Sequence, residues 1–247
     1  MPGAWLVLPT YNEAENIEPI VAAVLARLAA ASPDHRLLIV DDSSPDGTGA
    51  IADRLAAEQE AVEVLHRAGK EGLGRAYIAG FRRALDAGAD LLLEMDADFS
   101  HDPADVPRLI GAAGDADLVL GSRYVEGGGV EGWELHRRLL SRGGCLYART
   151  LLGVPVRDLT GGFKCFRREV LESIDLGDVQ ADGYGFQIEM TYRALKAGFR
   201  VKEIPIVFHE RRAGDSKMDA RIAAEAVWKV PALRRRLRGR KLPRRTG

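Results

Sequence analysis

Several clusters of polar residues carry types and spacings that could do chemistry. Asp96-Ala97-Asp98 directly follows the apolar run LLLEM at 91–95. Residues two apart in an extended chain project to the same side, so the two carboxylates converge on one point. Hard oxygen ligands paired in this way suit Mg²⁺ or Mn²⁺, which takes one or two carboxylates and shares its remaining positions with substrate phosphates. His101 is a candidate further ligand or a donor to one, against the plainer reading of a surface or capping histidine, and Asp102 before Pro103 reads as a helix cap. Asp41 and Asp42 end a second apolar run. Adjacent carboxylates repel unless a donor or cation is close, and Asp42 is placed to take the ribose or base of a nucleotide. The Pro45-Asp46-Gly47-Thr48 stretch beyond is turn and cap chemistry. Tyr11 and Glu13 set a flat aromatic beside a carboxylate that could accept from a guanine amine, while Asn12 or Asn16 accounts for a helix cap. Arg123 stands in Gly121-Ser122-Arg123-Tyr124, and KEGLG at 70–74 allows backbone to pack against a ligand. Arg211 and Lys217 flank Gly214 in HERRAGDSK. Alone, that loop reads as exposed and partly neutralised by Glu210 and Asp215. Beside a metal site it reads as a mobile clamp that brings cations to a diphosphate leaving group.

These residues need a scaffold that gathers them. Apolar runs at 4–9, 37–40, 62–65, 91–95 and 118–120 predict strands. Amphipathic patterns at 17–31, 48–58, 75–87 and 104–112 predict the helices between them. This alternation specifies an α/β fold with a parallel, doubly wound sheet. Ligands in such sheets bind outside the carboxyl ends of the strands, where the unusual residues cluster. After Arg123 the rhythm changes to EGGGVEG at 126–132, a mixed basic and apolar segment at 133–152, then DLTGGFKCF at 158–166. A helix at 186–196, a strand at 201–208 and a last helix from Asp219 complete the chain, without an internal repeat.

With 46% hydrophobic and 29% charged residues, 247 residues suffice for a large α/β core and argue against disorder. Two cysteines, Cys145 and Cys165, exclude a disulfide framework and a four-cysteine zinc site, and point to a reducing compartment. No apolar run reaches the ~18 residues of a membrane span, and the first residues lack a basic leader. A cytoplasmic protein is expected. The net charge of −1 hides an asymmetry: 229–247 carries nine basic side chains and no acid, which leaves about −10 on what precedes it. Such a segment suits an anionic partner. Nucleic acid is disfavoured, because strand-end carboxylates on a phosphate-binding face are costly without metal.

Pro9-Thr10-Tyr11-Asn12-Glu13, Val40-Asp41-Asp42, Asp96-Ala97-Asp98, Gly121-Ser122-Arg123-Tyr124 and the 211–217 loop occur in the order seen in family 2 glycosyltransferases. Within that family the chain resembles the dolichol- or polyprenol-phosphate mannosyltransferases, over about residues 4–220. The resemblance implies a GT-A fold, a Rossmann-like mostly parallel sheet flanked by helices, with amphipathic helices toward the carboxyl terminus. It implies a catalytic domain over 1–218 and a basic amphipathic helix and tail over 219–247. Mannose would pass from GDP-mannose to a polyprenol phosphate with inversion, the alternative being a polyprenol-phosphate glucosyltransferase or another transferase using a UDP-sugar. Pro9, Tyr11, Glu13, Val40 and Asp42 would hold the nucleoside, and Asp96, Ala97 and Asp98 would meet metal and phosphates. Asp96 and Asp98 would be the metal ligands for Mg²⁺ or Mn²⁺, and Arg123, Arg211 and Lys217 would complete the donor site. Asp98, Arg211 and Lys217 would act directly in the reaction. Ser100 stands where some relatives carry glutamine, so Ser100, His101 or water is left to complete the metal shell. A lipid acceptor implies peripheral attachment to the inner face of the membrane, directly or through a separate anchoring subunit. Apolar residues at helical spacing, Ile222, Ala226, Val230, Leu233 and Leu237, and the segment 133–152, are the expected interfacial elements.

Overall fold

The computed structural model describes residues 3–179, 183–210 and 220–238. The first half follows the predicted alternation: β1 (Ala4–Thr10), α1 (Ile17–Ala31), β2 (His35–Asp41), α2 (Thr48–Glu58), β3 (Val62–His66), α3 (Leu73–Asp86), β4 (Leu91–Glu94), α4 (Val106–Ala112) and β5 (Leu118–Ser122). The second half adds β6 (Gly129–Val130), α5 (Leu135–Leu152), β7 (Lys164–Arg167), α6 (Arg168–Ser173), α7 (Tyr184–Lys196), β8 (Val201–Pro205), β9 (Val207–Phe208) and α8 (Ala220–Arg238). Seven strands form one sheet in the order β3-β2-β1-β4-β7-β5-β8, and β6 and β9 form a small second sheet.

The strands are buried on both faces, as a sheet covered by helices requires. Trp5 and Val7 of β1 point into one core with Leu38 and Val40 of β2, and this core includes residues of α3, α5, α7 and α8. Leu6 and Leu8 alternate to the other, with Leu37 and Ile39, against α1, α2 and α4. At Gly80 helix α3 comes so close to β1 that an added Cβ would lie 2.3 Å from Val7 Cγ1.

Two strands were not expected: the short β6, in the glycine-rich stretch at 126–132, and one in the main sheet. β7 inserts between β4 and β5 and runs antiparallel to both. Its first residue, Lys164, pairs in register with Glu94. The two fully buried side chains form an ion pair at 3.3 Å. Lys164 also donates to the backbone oxygen of Gln187 at 3.1 Å and to its side-chain oxygen.

The last helix departs from expectation more sharply. Of the five residues expected at a lipid interface, the side chains of Ile222 and Ala226 lie outside the described ones, and Val230, Leu233 and Leu237 are 2%, 7% and 0% exposed. They pack with the core as α8 lies on α5 and α7. Arg236 reaches the buried Glu189 of α7, which also holds Arg193. Pro231 lies inside the helix and has no N–H for Val227 O; the Tyr147 hydroxyl of α5 donates to that oxygen instead, at 2.9 Å. The exposed apolar residues of this flank are Leu135, Leu139, Leu140 and Leu146 on α5 and Val227 and Trp228 on α8. No helix among the described residues is long and apolar enough to cross a membrane.

Replacing Gly80 with alanine should cost about 1–3 kcal/mol by forcing α3 off Val7. Denaturant titration should show a lower midpoint; an unchanged midpoint would mean the helix can move without loss.

Candidate active site

The site lies where the sheet changes winding direction. Strands β1, β2 and β3 step one way across the sheet, and β4 returns to the opposite side of β1. Pairing of β1 with β4 stops at Val7 opposite Glu94, while pairing with β2 continues to Thr10 opposite Asp41. Thr10 O accepts Asp42 N–H on the β2 side, so Pro9 faces the side where pairing has ended, and its missing N–H leaves no gap in the ladder. The chain ends after β1 and β4 therefore part, in the position where open α/β sheets bind ligands.

Three loops meet there, and each contains a non-glycine residue at positive φ: Asn12 (60°) after β1, Ser43 (55°) after β2 and Phe99 (61°) after β4. Among the described residues these are the only non-glycine positions of this kind. Left-handed backbone costs an L-residue about 1–2 kcal/mol and persists where the surroundings fix it. Here they do. The β2 loop holds the backbone of the β1 loop: Asn12 N donates to Ser44 Oγ, Glu13 N to Thr48 Oγ1 and Ala14 N to Asp46 Oδ2, at 3.1, 2.9 and 3.0 Å. Asp46 also takes Thr48 N and Oγ1. These bonds outweigh its slight burial and hold its carboxyl below the usual range.

The adjacent aspartates divide their duties. Asp41 is 2% exposed and takes the Ser44 and Thr10 hydroxyls at 2.6 and 3.3 Å, which fixes the turn. Asp42 pairs with Arg67 at 2.5 Å, and Arg67 also meets Glu71. Burial is the largest influence on Asp42 and raises its pKa despite Arg67. Arg67, through this pair with Asp42, joins the candidate site, and the sequence pattern did not single it out. Lys70 of the same loop stands 3.9 Å above the Tyr11 ring, so two cations attend the proposed base pocket. Tyr11, Glu13 and Pro9 are half-buried along its edge, and Glu13 accepts from Asn16 Nδ2 at 2.8 Å. Val40 is wholly buried in the core, so its side chain supports the strand end and does not face a ligand.

Asp96 is half-buried, whereas Ala97 and Asp98 are each 4% exposed. The left-handed Phe99 lets Ser100 N donate back to Asp98 Oδ1 at 3.0 Å. Ser100 Oγ is buried and has no hydrogen-bond partner. His101 is 1% exposed, stacks on Phe163 at 5.0 Å, and accepts Asp96 N–H at Nδ1. That bond fixes the neutral Nε2–H tautomer and commits Nδ1 to the backbone. Burial pushes the ring down to about 4. No group of three or more His, Cys, Asp or Glu able to hold a metal occurs among the described residues. Behind the loop, burial raises Glu94 to about 7 against the pull of Lys164.

Arg123 closes the far side. It is 6% exposed and grips Asp158 through Nε and Nη2, both at 2.7 Å, while Nη2 also reaches Thr160 at 2.8 Å. Burial opposes its charge, and Asp158 overrides that and holds it. Trp133 carries the Arg137 guanidinium 4.2 Å above its ring. Arg137 was expected only as a basic residue of the interfacial segment 133–152; its Nη1 lies 3.6 Å from Glu210 Oε1, while its Nε is buried without a partner, as is Trp133 Nε1. Arg211 and Lys217, the expected cation clamp, lie outside the described residues.

In the unfolded chain a histidine takes up its proton near pH 6.5, whereas folded His101 does so only near 4. Its contribution to stability is complete above pH 6.5 and is lost as pH falls from there toward 4. NMR titration of the His101 ring should give a midpoint well below 5, and a midpoint near 6.5 would contradict its buried, neutral role.

The sequence profile described as Glycosyl transferase family 2 matches residues 5–175. The undecaprenyl-phosphate mannosyltransferase of Micrococcus luteus is 50% identical over 224 residues, covering 91% of this chain and 90% of that protein. The polyprenol monophosphomannose synthase of Mycolicibacterium smegmatis is 50% identical over 227 residues, 91% of this chain and 84% of its own. Among solved structures, mannosyltransferase PcManGT from Pyrobaculum calidifontis, in complex with GDP-Man and Mn²⁺, superposes with a TM-score of 0.66 at 20% identity, covering 98% of this chain and 66% of that one. Glucosyl-3-phosphoglycerate synthase from Mycobacterium tuberculosis, with Mn²⁺, UDP-Glc and glycerol 3-phosphate, gives 0.67 at 20% identity, covering 94% and 80%. The strand order, the cleft at the winding change and these similarities agree: the chain belongs to glycosyl transferase family 2 and has the GT-A fold.

Proposed function

We propose that this protein transfers mannose from GDP-mannose to a polyprenol monophosphate, with inversion, giving a β-linked mannosyl phosphopolyprenol and GDP. The observation that carries this reading is the 50% identity, over nine-tenths of the chain, to two enzymes named for mannosyl transfer to polyprenol phosphate. The cleft is consistent with it. Tyr11, Glu13 and Asp42 line the pocket edge for the guanine nucleoside, with Pro9 beside them. Asp96 and Asp98 face the diphosphate, Ala97 lies between them, and the two carboxylates would hold Mg²⁺ or Mn²⁺. The residues present fit such an ion: two carboxylates at one strand end, and the unpartnered Ser100 hydroxyl beside them. His101 serves the loop backbone in this reading and leaves the ion to Asp96, Asp98 and the phosphates. Bound there, a divalent cation would offset charge building on the departing diphosphate.

The chain's own work is alignment. A phosphate monoester is anionic at neutral pH, so the acceptor oxygen needs no general base. It attacks C1 of mannose while the bond from C1 to the diphosphate breaks, and the electron pair leaves with GDP. The sugar passes through an oxocarbenium-like state, and the protein holds attacker and leaving group in line. Arg137, held over Trp133 with Nε unpartnered, is placed to receive the acceptor phosphate, and Arg123 anchors that wall through Asp158. Arg211 and Lys217 bring cations to the diphosphate.

Residues 1–218 form the catalytic body in this reading. Residues 219–247 close its flank through α8 and carry basic charge toward anionic lipid. The exposed leucines of α5 and Trp228 of α8 form the apolar strip that meets the inner face of the membrane or a separate anchoring subunit.

Purified protein with radiolabelled GDP-mannose and polyprenol phosphates should yield labelled lipid that EDTA suppresses. Asp98→Ala should lower this by roughly two orders of magnitude or more while the protein stays folded. Full turnover of the variant at saturating Mn²⁺, or transfer from UDP-glucose in place of GDP-mannose, would overturn the assignment. On anionic liposomes, the pair Leu139→Glu and Leu146→Glu should weaken co-sedimentation about tenfold or more, since each buried leucine is worth about 1.5–3 kcal/mol. Unchanged binding would remove α5 from the lipid surface.

A further inference from the structure

Tyr77 lies in the middle of α3, fully buried, and its ring is stacked between Phe81 and Phe186, each with centroids 5.9 Å away. For packing alone, phenylalanine would serve as well. A buried hydroxyl costs free energy unless it finds a partner, and this one does: Tyr77 Oη donates to Asp96 Oδ1 at 3.3 Å. The two flanking rings, one from α3 and one from α7, leave the phenol little freedom to turn. Asp96 is fixed a second time through its backbone, whose N–H is taken by His101 Nδ1. Gly162 packs alongside, where an added Cβ would come 3.9 Å from both carboxylate oxygens. The Tyr77 hydroxyl therefore holds the carboxylate from the core side.

We propose that Tyr77 is a positioning residue that sets the Asp96 carboxylate in the orientation needed to engage the divalent cation and donor diphosphate. A carboxylate already held by a neutral donor loses less freedom on capturing a cation, and partners of this kind typically change metal affinity 10–100-fold. The inference rests on the reading of Asp96 and Asp98 as metal ligands. It reaches a residue whose core position otherwise gives it no part in the reaction.

The test is Mn²⁺ binding in the presence of GDP, followed by electron paramagnetic resonance on wild type and five variants. Tyr77→Phe should stay folded and bind Mn²⁺ about tenfold more weakly, with a matching rise in the metal concentration for half-maximal turnover and a smaller loss of kcat at saturating metal. Phe81→Leu removes a stacking ring and keeps the hydroxyl, so it should lower Tm and leave Mn²⁺ affinity unchanged. In an Asp96→Asn background, adding Tyr77→Phe should change affinity no further, because its effect passes through Asp96. If Tyr77→Phe binds Mn²⁺ as wild type does while Asp98→Ala does not, Tyr77 has a packing role and the proposal fails alone. If Asp98→Ala also binds as wild type does, the metal-site reading fails and takes this proposal with it.

Discussion

The structure depends on a conflict at the carboxyl ends of β1, β2 and β4. A nucleotide-diphosphate site of the kind proposed must gather like charges on one edge of a sheet, and gathering them costs energy. The fold meets the cost locally. Asp41 is occupied by hydroxyls, Asp46 by backbone and threonine donors, and Asp42 by Arg67. Asp98 folds back on Ser100 N–H, and Asp96 receives the Tyr77 hydroxyl. The three left-handed residues, Asn12, Ser43 and Phe99, are the geometric consequence. Each loop must turn sharply enough to bring donors onto its own carboxylate or its neighbour's, and the cross-links between the loops hold the strained turns in place.

That arrangement explains why so much of the site sits in the first half of the chain while the second half acts as its wall. β7 enters the sheet against the parallel grain. Its buried Lys164, matched to Glu94, fixes its register beside the strand that leads into Asp96. A one-residue slip would leave two buried charges unpaired, which is far costlier than the pair itself. α5 and α8 form a second layer, with core residues on one side and exposed leucines and Trp228 on the other. In the proposed reading, the acceptor wall at Arg137 and the apolar strip of leucines share α5, so a lipid phosphate would meet the site while its hydrocarbon stays outside.

Much of this was legible in the residues. Doubly buried strands leave continuous apolar runs, so β1 to β5 could be read directly, and the position of Asp96 and Asp98 after LLLEM was enough to place them at the cleft. Other features depend on contacts between distant segments. β7 is four residues long and begins with a lysine, and only its pairing with β4 and β5 makes it a strand. The stripe on α8 had the right period, but period cannot say whether a face meets core or lipid; α5 and α7 supply that answer. Arg67 looked like an ordinary loop cation and Tyr77 like an ordinary core aromatic, because the partner of each lies on another element.

The central claim is a single in-line displacement in which the acceptor phosphate is its own nucleophile and the cleft supplies alignment and charge. The anomeric configuration of the lipid product tests it most directly. Starting from α-linked GDP-mannose, NMR of the purified mannosyl phospholipid should show only the β anomer. An α-linked product would mean retention, by double displacement or front-face attack, and would contradict the account.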